Sequence, residues 1–266
     1  MNLPGRLILL GHPVSHSLSP RLQNAALAAA RLPLRYEALD VAPDALDTIL
    51  AELRAEGAAG NVTIPHKERV AMRCDALTPL AARVGAVNTF WVADARMTGD
   101  NTDVGGFSSA VTTLMSGAPA DIVVGVIGAG GAAAAVLTAV ESWTGCRALV
   151  YNRTRRRADA VCARFGSVAR RIDDARLMAR AQLVVNATSI GLHDDAFPLD
   201  PSLLDPDAAV LDLVYRAGET AWVRAARTRG HRALDGLTML IEQAALAFER
   251  WFGRAPDRDV MWRAVR

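Results

Sequence analysis

Residues 122–140 read IVVGVIGAGGAAAAVLTAV. The 19 residues carry no charge and are long enough to pass for a membrane-spanning helix. Their internal order argues otherwise. The first part is β-branched and strand-like, a glycine cluster interrupts the middle, and the last part is alanine-rich and helix-like. A strand, a glycine turn and a helix account for all three pieces. The glycines fall at Gly128, Gly130 and Gly131. A glycine-rich turn after a strand and before a helix is the context of a dinucleotide site. There the backbone can approach a pyrophosphate, and the helix N-terminus attracts its charge.

The pattern continues outward from this unit. Strands are predicted at 122–127, 147–152, 167–172, 182–187 and 208–214, with a short one near 232–235. Helices are predicted at 131–142, 154–165 and 219–229. This is a doubly wound arrangement. The strand RALVYN ends at Asn152, 24 residues after Gly128. An NAD site usually has a carboxylate there for the ribose 2′-hydroxyl. Here the chain reads Asn152-Arg153-Thr154-Arg155-Arg156-Arg157, with donors and no acid, so NADP is favoured. Three cations in the first turn of a helix oppose its dipole, and a bound anion would relieve that cost.

The N-terminal part also alternates strands and helices. RLILL (6–10), LRYEALD (34–40), AAGNVTI and AVNTFWV (86–92) read as strands, the last paired through a turn with the following residues. A helix opens at Ser19-Pro20, with Ser19 as N-cap, and another spans 43–57. The expectation is a second, mostly parallel α/β sheet. SGAPAD (116–121) separates the parts, and LTMLIEQAALAFERWF (237–252) is a long amphipathic helix. The domain reading is therefore 1–103, completed by 237–266, and 104–236.

Bulk composition fits this reading. The 266 residues are 51% hydrophobic and 22% charged, which suits a packed core. A net charge of +2 gives no reason to expect nucleic acid or an anionic membrane as partner. Three cysteines without paired spacing suggest neither a disulfide framework nor a zinc site, and fit a reducing cytoplasm. His12 and His16 lack a third ligand at metal spacing, so no metal is expected.

Among 30 basic residues one is lysine, Lys67 in NVTIPHKE, leaving 29 arginines. A solvated amine would be expected to have drifted to arginine with the rest. Arginine stays protonated in proteins, whereas lysine can release a proton. Lys67 therefore reads as a proton-transfer residue, and His66 beside it as a packing residue. Thr63 and Lys67 at the end of the third strand, Asn88 in GAVNTF and Asp103, placed to cap a helix where the two parts meet, together suit a polyhydroxylated small molecule. Ser17 and Ser19, near a helix N-terminus, suit a carboxylate.

GHPVSHSLSP, NVTIPHKE, GAVNT, DNTD, GAGGA, NRT, NATSIGL, LDLVY and DGLTMLIEQAALAFERWFG together resemble the shikimate dehydrogenase family, in order and over nearly the whole chain. The resemblance implies NADPH-dependent reduction of 3-dehydroshikimate to shikimate, in aromatic amino-acid biosynthesis. It implies that Ser17 and Ser19, assisted by Tyr215, bind the substrate carboxylate. Thr63, Lys67, Asn88, Asp103 and Gln243 then take the ring hydroxyls and ketone. The cofactor positions become Gly128, Ala129, Gly130, Gly131, Ala132, Asn152, Arg153, Thr154 and Arg157, with Leu213 and Gly236 near the nicotinamide. Three places depart from the common pattern: Gln23-Asn24, Ala133–Ala135 and Ile190. On this reading Lys67 is the acid/base residue and Asp103 its partner. The expected protein is a cytoplasmic monomer or homodimer acting on a small molecule. Its rivals are a broader quinate/shikimate dehydrogenase and a non-catalytic NADP-sensing paralogue.

Overall fold

The computed structural model describes residues 3–266. They form two compact units. One runs to Gly106 and is completed by Leu240–Arg266; the other is Phe107–Met239.

In the first unit the elements are β1 (Leu7–Gly11), α1 (Ser19–Ala29), β2 (Tyr36–Asp40), α2 (Leu46–Ala55), β3 (Ala59–Val62), α3 (Lys67–Ala71), β4 (Ala76–Leu77), α4 (Pro79–Val84), β5 (Thr89–Ala93) and β6 (Arg96–Asp100). The sheet order is β2-β1-β3-β5-β6-β4. β1 lies parallel to β2 and β3, and β4 lies parallel to β6. β5 runs antiparallel to both neighbours. The reversal arises at Asp94 and Ala95, which have φ of 50° and 58° and make the two-residue turn that closes β5 onto β6. Ile8, Leu10, Leu50, Leu53, Val62, Val87 and Phe90 fill one core of this unit.

A helix α5 (Asp103–Met115) crosses the boundary between the units. The second unit follows with β7 (Val123–Ile127), α6 (Gly131–Ser142), β8 (Arg147–Tyr151), α7 (Arg155–Arg164), β9 (Ala169–Arg171), β10 (Leu183–Asn186), β11 (Ala209–Asp212), α8 (Ala221–Thr228) and β12 (Ala233–Leu234). All its strand pairings are parallel, in the order β12-β11-β10-β7-β8-β9. Renumbered within the unit, this is the 3-2-1-4-5-6 order of dinucleotide-binding folds. The chain reverses direction across the sheet between β7 and β10. The opening stretch thus resolves into a five-residue strand and a 12-residue helix. Among the described residues no helix is long and apolar enough to cross a membrane. Two short 3₁₀ turns, Ala175–Arg180 and Pro201–Leu203, and the two-residue β4 were not evident from periodicity.

The last elements are α9 (Leu237–Phe252) and α10 (Arg258–Arg263). From Leu240 onward they belong to the first unit. Trp251 stacks on Tyr36 with ring centroids 6.0 Å apart and donates from Nε1 to Thr89 Oγ1 at 3.1 Å. Gln23, fully buried on α1, donates to the Ala244 carbonyl at 2.9 Å. Its departure from the family pattern is thereby a tie between α1 and α9.

Candidate active site

The topology of the first sheet decides which loops meet. β1, β3 and β6 run in one direction, so their C-terminal ends share an edge. The antiparallel β5 begins at that same edge. The residues after β1, β3 and β6, and those just before β5, are therefore neighbours although far apart in sequence. The loops after β1 and β3 touch: His12 N donates to the Ile64 carbonyl at 3.0 Å. Gly11 makes this possible, because a Cβ there would lie 2.4 Å from Thr63 Cγ2.

Lys67 and Asp103 are brought together at this edge. Lys67 Nζ donates to Asp103 Oδ2 at 2.6 Å, with the lysine side chain 20% exposed and the aspartate 7%. Lys67 is the first residue of α3, so its backbone is fixed by the helix. Asp103 opens α5, and its amide donates to Asn101 Oδ1 at 3.1 Å. Asn101, Thr102 and Asn88 are all buried. Thr102 N donates to Asn88 Oδ1 at 2.7 Å, and Thr102 Oγ1 accepts from the Asn88 amide nitrogen at 2.9 Å. That nitrogen donates to Asp103 Oδ1 at 2.8 Å and to Gln243 Oε1 at 3.1 Å. Both oxygens of Asp103 thus accept, one from an ammonium and one from an amide. Gln243 is held in turn by donation to the Leu240 carbonyl at 2.8 Å. Thr102 and Asn101 received no role in the sequence reading, although both lie inside the DNTD stretch.

The serine loop differs in detail from its expectation. Ser19 is not the N-cap of α1; Leu18 is, and Ser19 is already helical and buried. The capping acceptor comes from Ser17, whose Oγ takes the Ser19 amide at 3.2 Å. Thr63, half-buried, donates its amide to Leu10 O at 2.8 Å. His66 is fully buried and bonds through Nε2 to the Val41 carbonyl at 2.7 Å, in keeping with a packing role. His12 is engaged by Asp40 at 2.5 Å. That hydrogen bond is the main reason the Asp40 carboxyl sits below the usual carboxylate range. Among the described residues no group of three or more His, Cys, Asp or Glu side chains is placed to hold a metal ion. Burial pushes the Cys74 thiol up to about 11, which leaves it little thiolate character.

In the second unit, the glycine turn fits a dinucleotide. Gly128 has φ +125°, and a Cβ on it would lie 2.6 Å from the Ala187 carbonyl oxygen. Its amide donates to Tyr151 O at 2.8 Å, which sets the turn beside the end of β8. Gly130 is the N-cap of α6 and makes no side-chain cap, and open space lies where its Cβ would be. Unfilled space at an uncapped helix N-terminus is the shape a pyrophosphate requires. Gly131 and Ala132 continue into the first turn, and Ala133–Ala135 are buried against the sheet, which accounts for that departure. Asn152 Nδ2 donates to the Thr154 carbonyl at 2.9 Å, and Thr154 is the N-cap of α7. Arg153 and Arg157 are exposed beside it, while Arg155 is engaged by Asp173 at 3.0 Å.

Leu213 and Gly236 come together after β11 and β12. Gly236 N donates to Val214 O at 2.9 Å, and a Cβ on Gly236 would lie 2.3 Å from the Leu213 carbonyl oxygen. Tyr215 follows in the same loop and is half-buried. Asp212 anchors this loop, accepting from Asn186 Nδ2 at 2.8 Å, Val214 N at 3.0 Å and Thr220 Oγ1 at 2.8 Å. Burial pushes the Asp212 carboxyl upward, and these donors pull it back.

Gly128→Ala is a direct check on the turn. The added methyl demands that the Ala187 peptide move and places a Cβ in a region of φ that L-residues avoid. The variant is expected to fold with a loss of about 1–3 kcal/mol and to bind NADP at least roughly 10-fold more weakly. Fluorescence titration with NADP reads the change.

A parallel sheet in dinucleotide-binding order, joined to a unit that sets a lysine–aspartate pair among amide donors, defines a nucleotide-dependent oxidoreductase. Comparison with known proteins narrows the class. Residues 9–90 match the family model for the shikimate dehydrogenase substrate binding domain, and residues 236–266 match that for the shikimate 5′-dehydrogenase C-terminal domain. The chain is 43% identical to the shikimate dehydrogenase (NADP(+)) of Methylocella silvestris, covering 94% of this chain and 91% of that one. Among solved structures, that of shikimate 5-dehydrogenase from Thermus thermophilus, in complex with NADP(H) and shikimate, superposes with a TM-score of 0.90. It shares 41% identity over 98% of each chain. The Listeria monocytogenes enzyme, in complex with shikimate and NAD, has a TM-score of 0.88 at 28% identity over 98% of this chain and 96% of its own. The chain belongs to the shikimate dehydrogenase family.

Proposed function

We propose that this protein is an NADP-dependent shikimate dehydrogenase, which reversibly reduces 3-dehydroshikimate to shikimate. The observation that carries the reading is the 2.6 Å contact between the lone lysine and Asp103, set among the amides of Asn88 and Gln243. When bound, NADPH supplies the hydride that reaches the ketone carbon. As the carbonyl oxygen becomes an alkoxide, the Lys67 ammonium stabilises the charge and transfers a proton to it. In the reverse direction Lys67, as the free amine, takes the proton of the substrate hydroxyl. Asp103 holds Nζ toward the reacting oxygen and offsets the ammonium charge. Asn88, Thr63 and Gln243 take the ring hydroxyls. Ser17 and Ser19 bind the carboxylate, with Tyr215 as a further substrate contact.

In this reading residues 1–103 with 237–266 carry the substrate and the chemistry, and 104–236 hold NADP. The backbone of Gly128–Ala132 takes the pyrophosphate. Asn152, Arg153, Thr154 and Arg157 take the 2′-phosphate, and Leu213 and Gly236 flank the nicotinamide. The protein acts on these small molecules as a cytoplasmic monomer or homodimer, a placement that its three free cysteines support.

The cofactor and substrate preferences test the reading against its broader-specificity rival. With shikimate, kcat/KM for NADP is expected to exceed that for NAD by at least roughly 10-fold, because residue 152 offers no carboxylate to a free 2′-hydroxyl. With NADP, shikimate is expected to be favoured over quinate. A preference for NAD, as its Listeria relative's bound cofactor invites one to check, would reassign the cofactor. Equal rates on quinate would reassign the substrate range.

A further inference from the structure

We propose that Arg250 is a positioning residue for Asp103, acting by neutralising the buried carboxylate of Asp100. Every residue from Asp100 to Asp103 is held by a side chain. Asp100 Oδ1 accepts from Asn101 N at 2.8 Å and from the Thr78 hydroxyl. Asn101 spans from the Asp103 amide to the Ala86 carbonyl, at 3.1 and 2.9 Å. Thr102 N is bound by Asn88 Oδ1 at 2.7 Å. The placement of Asp103 opposite Lys67 is the last link of this run.

Its first link has a weakness. The Asp100 side chain is 1% exposed, yet Oδ2 has no hydrogen-bond partner among the described residues. What faces it is Arg250 Nε, from α9, in an ion pair at 2.7 Å. A carboxylate removed from water is tolerable only while its charge is offset; without the cation the acid must take up a proton or turn toward water, and either change disturbs the bonds it holds. Asp100 cannot move without pulling Asn101, and with it the amide of Asp103. Even a displacement of about 1 Å at a reacting pair lowers the rate steeply. The arginine itself is 56% exposed and flanks a cavity of about 580 Å3, lined also by Leu80, Leu246, Glu249 and Arg254. It can therefore be removed without opening the core, and a small solute has room to replace its head group.

The inference rests on Asp103 belonging to the reacting pair. Arg250→Ala is expected to turn over shikimate roughly 10-fold more slowly than wild type, with KM changed less than about two-fold. Methylguanidinium added to the variant is expected to restore at least half of the lost rate, and Arg250→Lys to retain most of it. Asp100→Asn in the Arg250→Ala background is also expected to recover turnover, because no buried charge is left to offset. If Arg250→Ala does not fold, the comparison is made between Asp100→Asn and Asp100→Asn with Arg250→Ala, which are expected to be equally active. Wild-type kcat in Arg250→Ala would overturn the proposal. So would a slow variant that neither methylguanidinium nor Asp100→Asn repairs, or unequal activity of the two Asp100→Asn proteins. An indifferent Arg250 in an active enzyme sinks this inference alone, whereas no shikimate turnover by the wild type sinks it together with the proposed function.

Discussion

Lys67→Ala is expected to lower kcat for shikimate oxidation by about 10²–10⁴-fold, the range that a positioned proton donor contributes. The substrate would still meet Asn88 and Gln243, which hold each other independently of the lysine through the 3.1 Å bond. Shikimate binding, measured by calorimetry in the presence of NADP, is therefore expected to change by less than about 10-fold. Lys67→Arg is the sharper companion. It retains the cation and a bond to Asp103 but cannot supply a free base. If proton transfer is what the position provides, the arginine variant stays nearly as slow as the alanine one. If charge alone matters, it recovers. Wild-type turnover in Lys67→Ala would remove the residue from the chemistry.

Asp103→Asn is expected to be comparably slow but to fail in a different way. Both aspartate oxygens accept, from Lys67 Nζ and from Asn88 Nδ2. An asparagine must place its own amide donors against one of those two donors. If it faces Lys67, the ammonium is pushed off its position. If it faces Asn88, the amide that reaches Gln243 is disturbed. The position is 5% exposed, so water cannot easily repair the mismatch. Turnover is expected to fall by about 10²–10³-fold, and here KM for shikimate is expected to rise as well, because Asn88 is coupled to the defect. The contrast between the two variants, one losing mainly kcat and the other losing both, is read in a single set of steady-state curves. An Asp103→Asn protein with unchanged KM would show that Asn88 is not coupled to the aspartate.

The parts that were readable in the chain are those governed by local rules. The 122–140 stretch carries its own strand, turn and helix in residue type and order, and α6 begins and ends where periodicity placed it. Strand order across the sheet was not local. That β10 lies beside β7 depends on the packing of the helices between them. The lysine was visible because it stands alone against 29 arginines. Its partner was less visible, since 36 residues separate it from Asp103 and only the edge shared by β3 and β6 brings them together. Ser19 was misread as a cap because serine before proline is a common helix start. In this chain the Leu18 backbone is already turned, and Ser17 provides the acceptor. The network behind Asp103 was hidden for a similar reason. Asp100 and Arg250 lie 150 positions apart and meet only because α9 returns to the first unit. Nothing in either local sequence marks the encounter.

Reduction of the ketone of 3-dehydroshikimate by NADPH can be followed directly. Purified protein, 3-dehydroshikimate and NADPH are mixed, and cofactor oxidation is followed with mass-spectrometric detection of the product. One shikimate is expected to form per NADPH oxidised, with the rate in Lys67→Ala lower by at least about 10²-fold. NADPH that binds but is not oxidised, or oxidation that persists undiminished without Lys67, would contradict the proposed function.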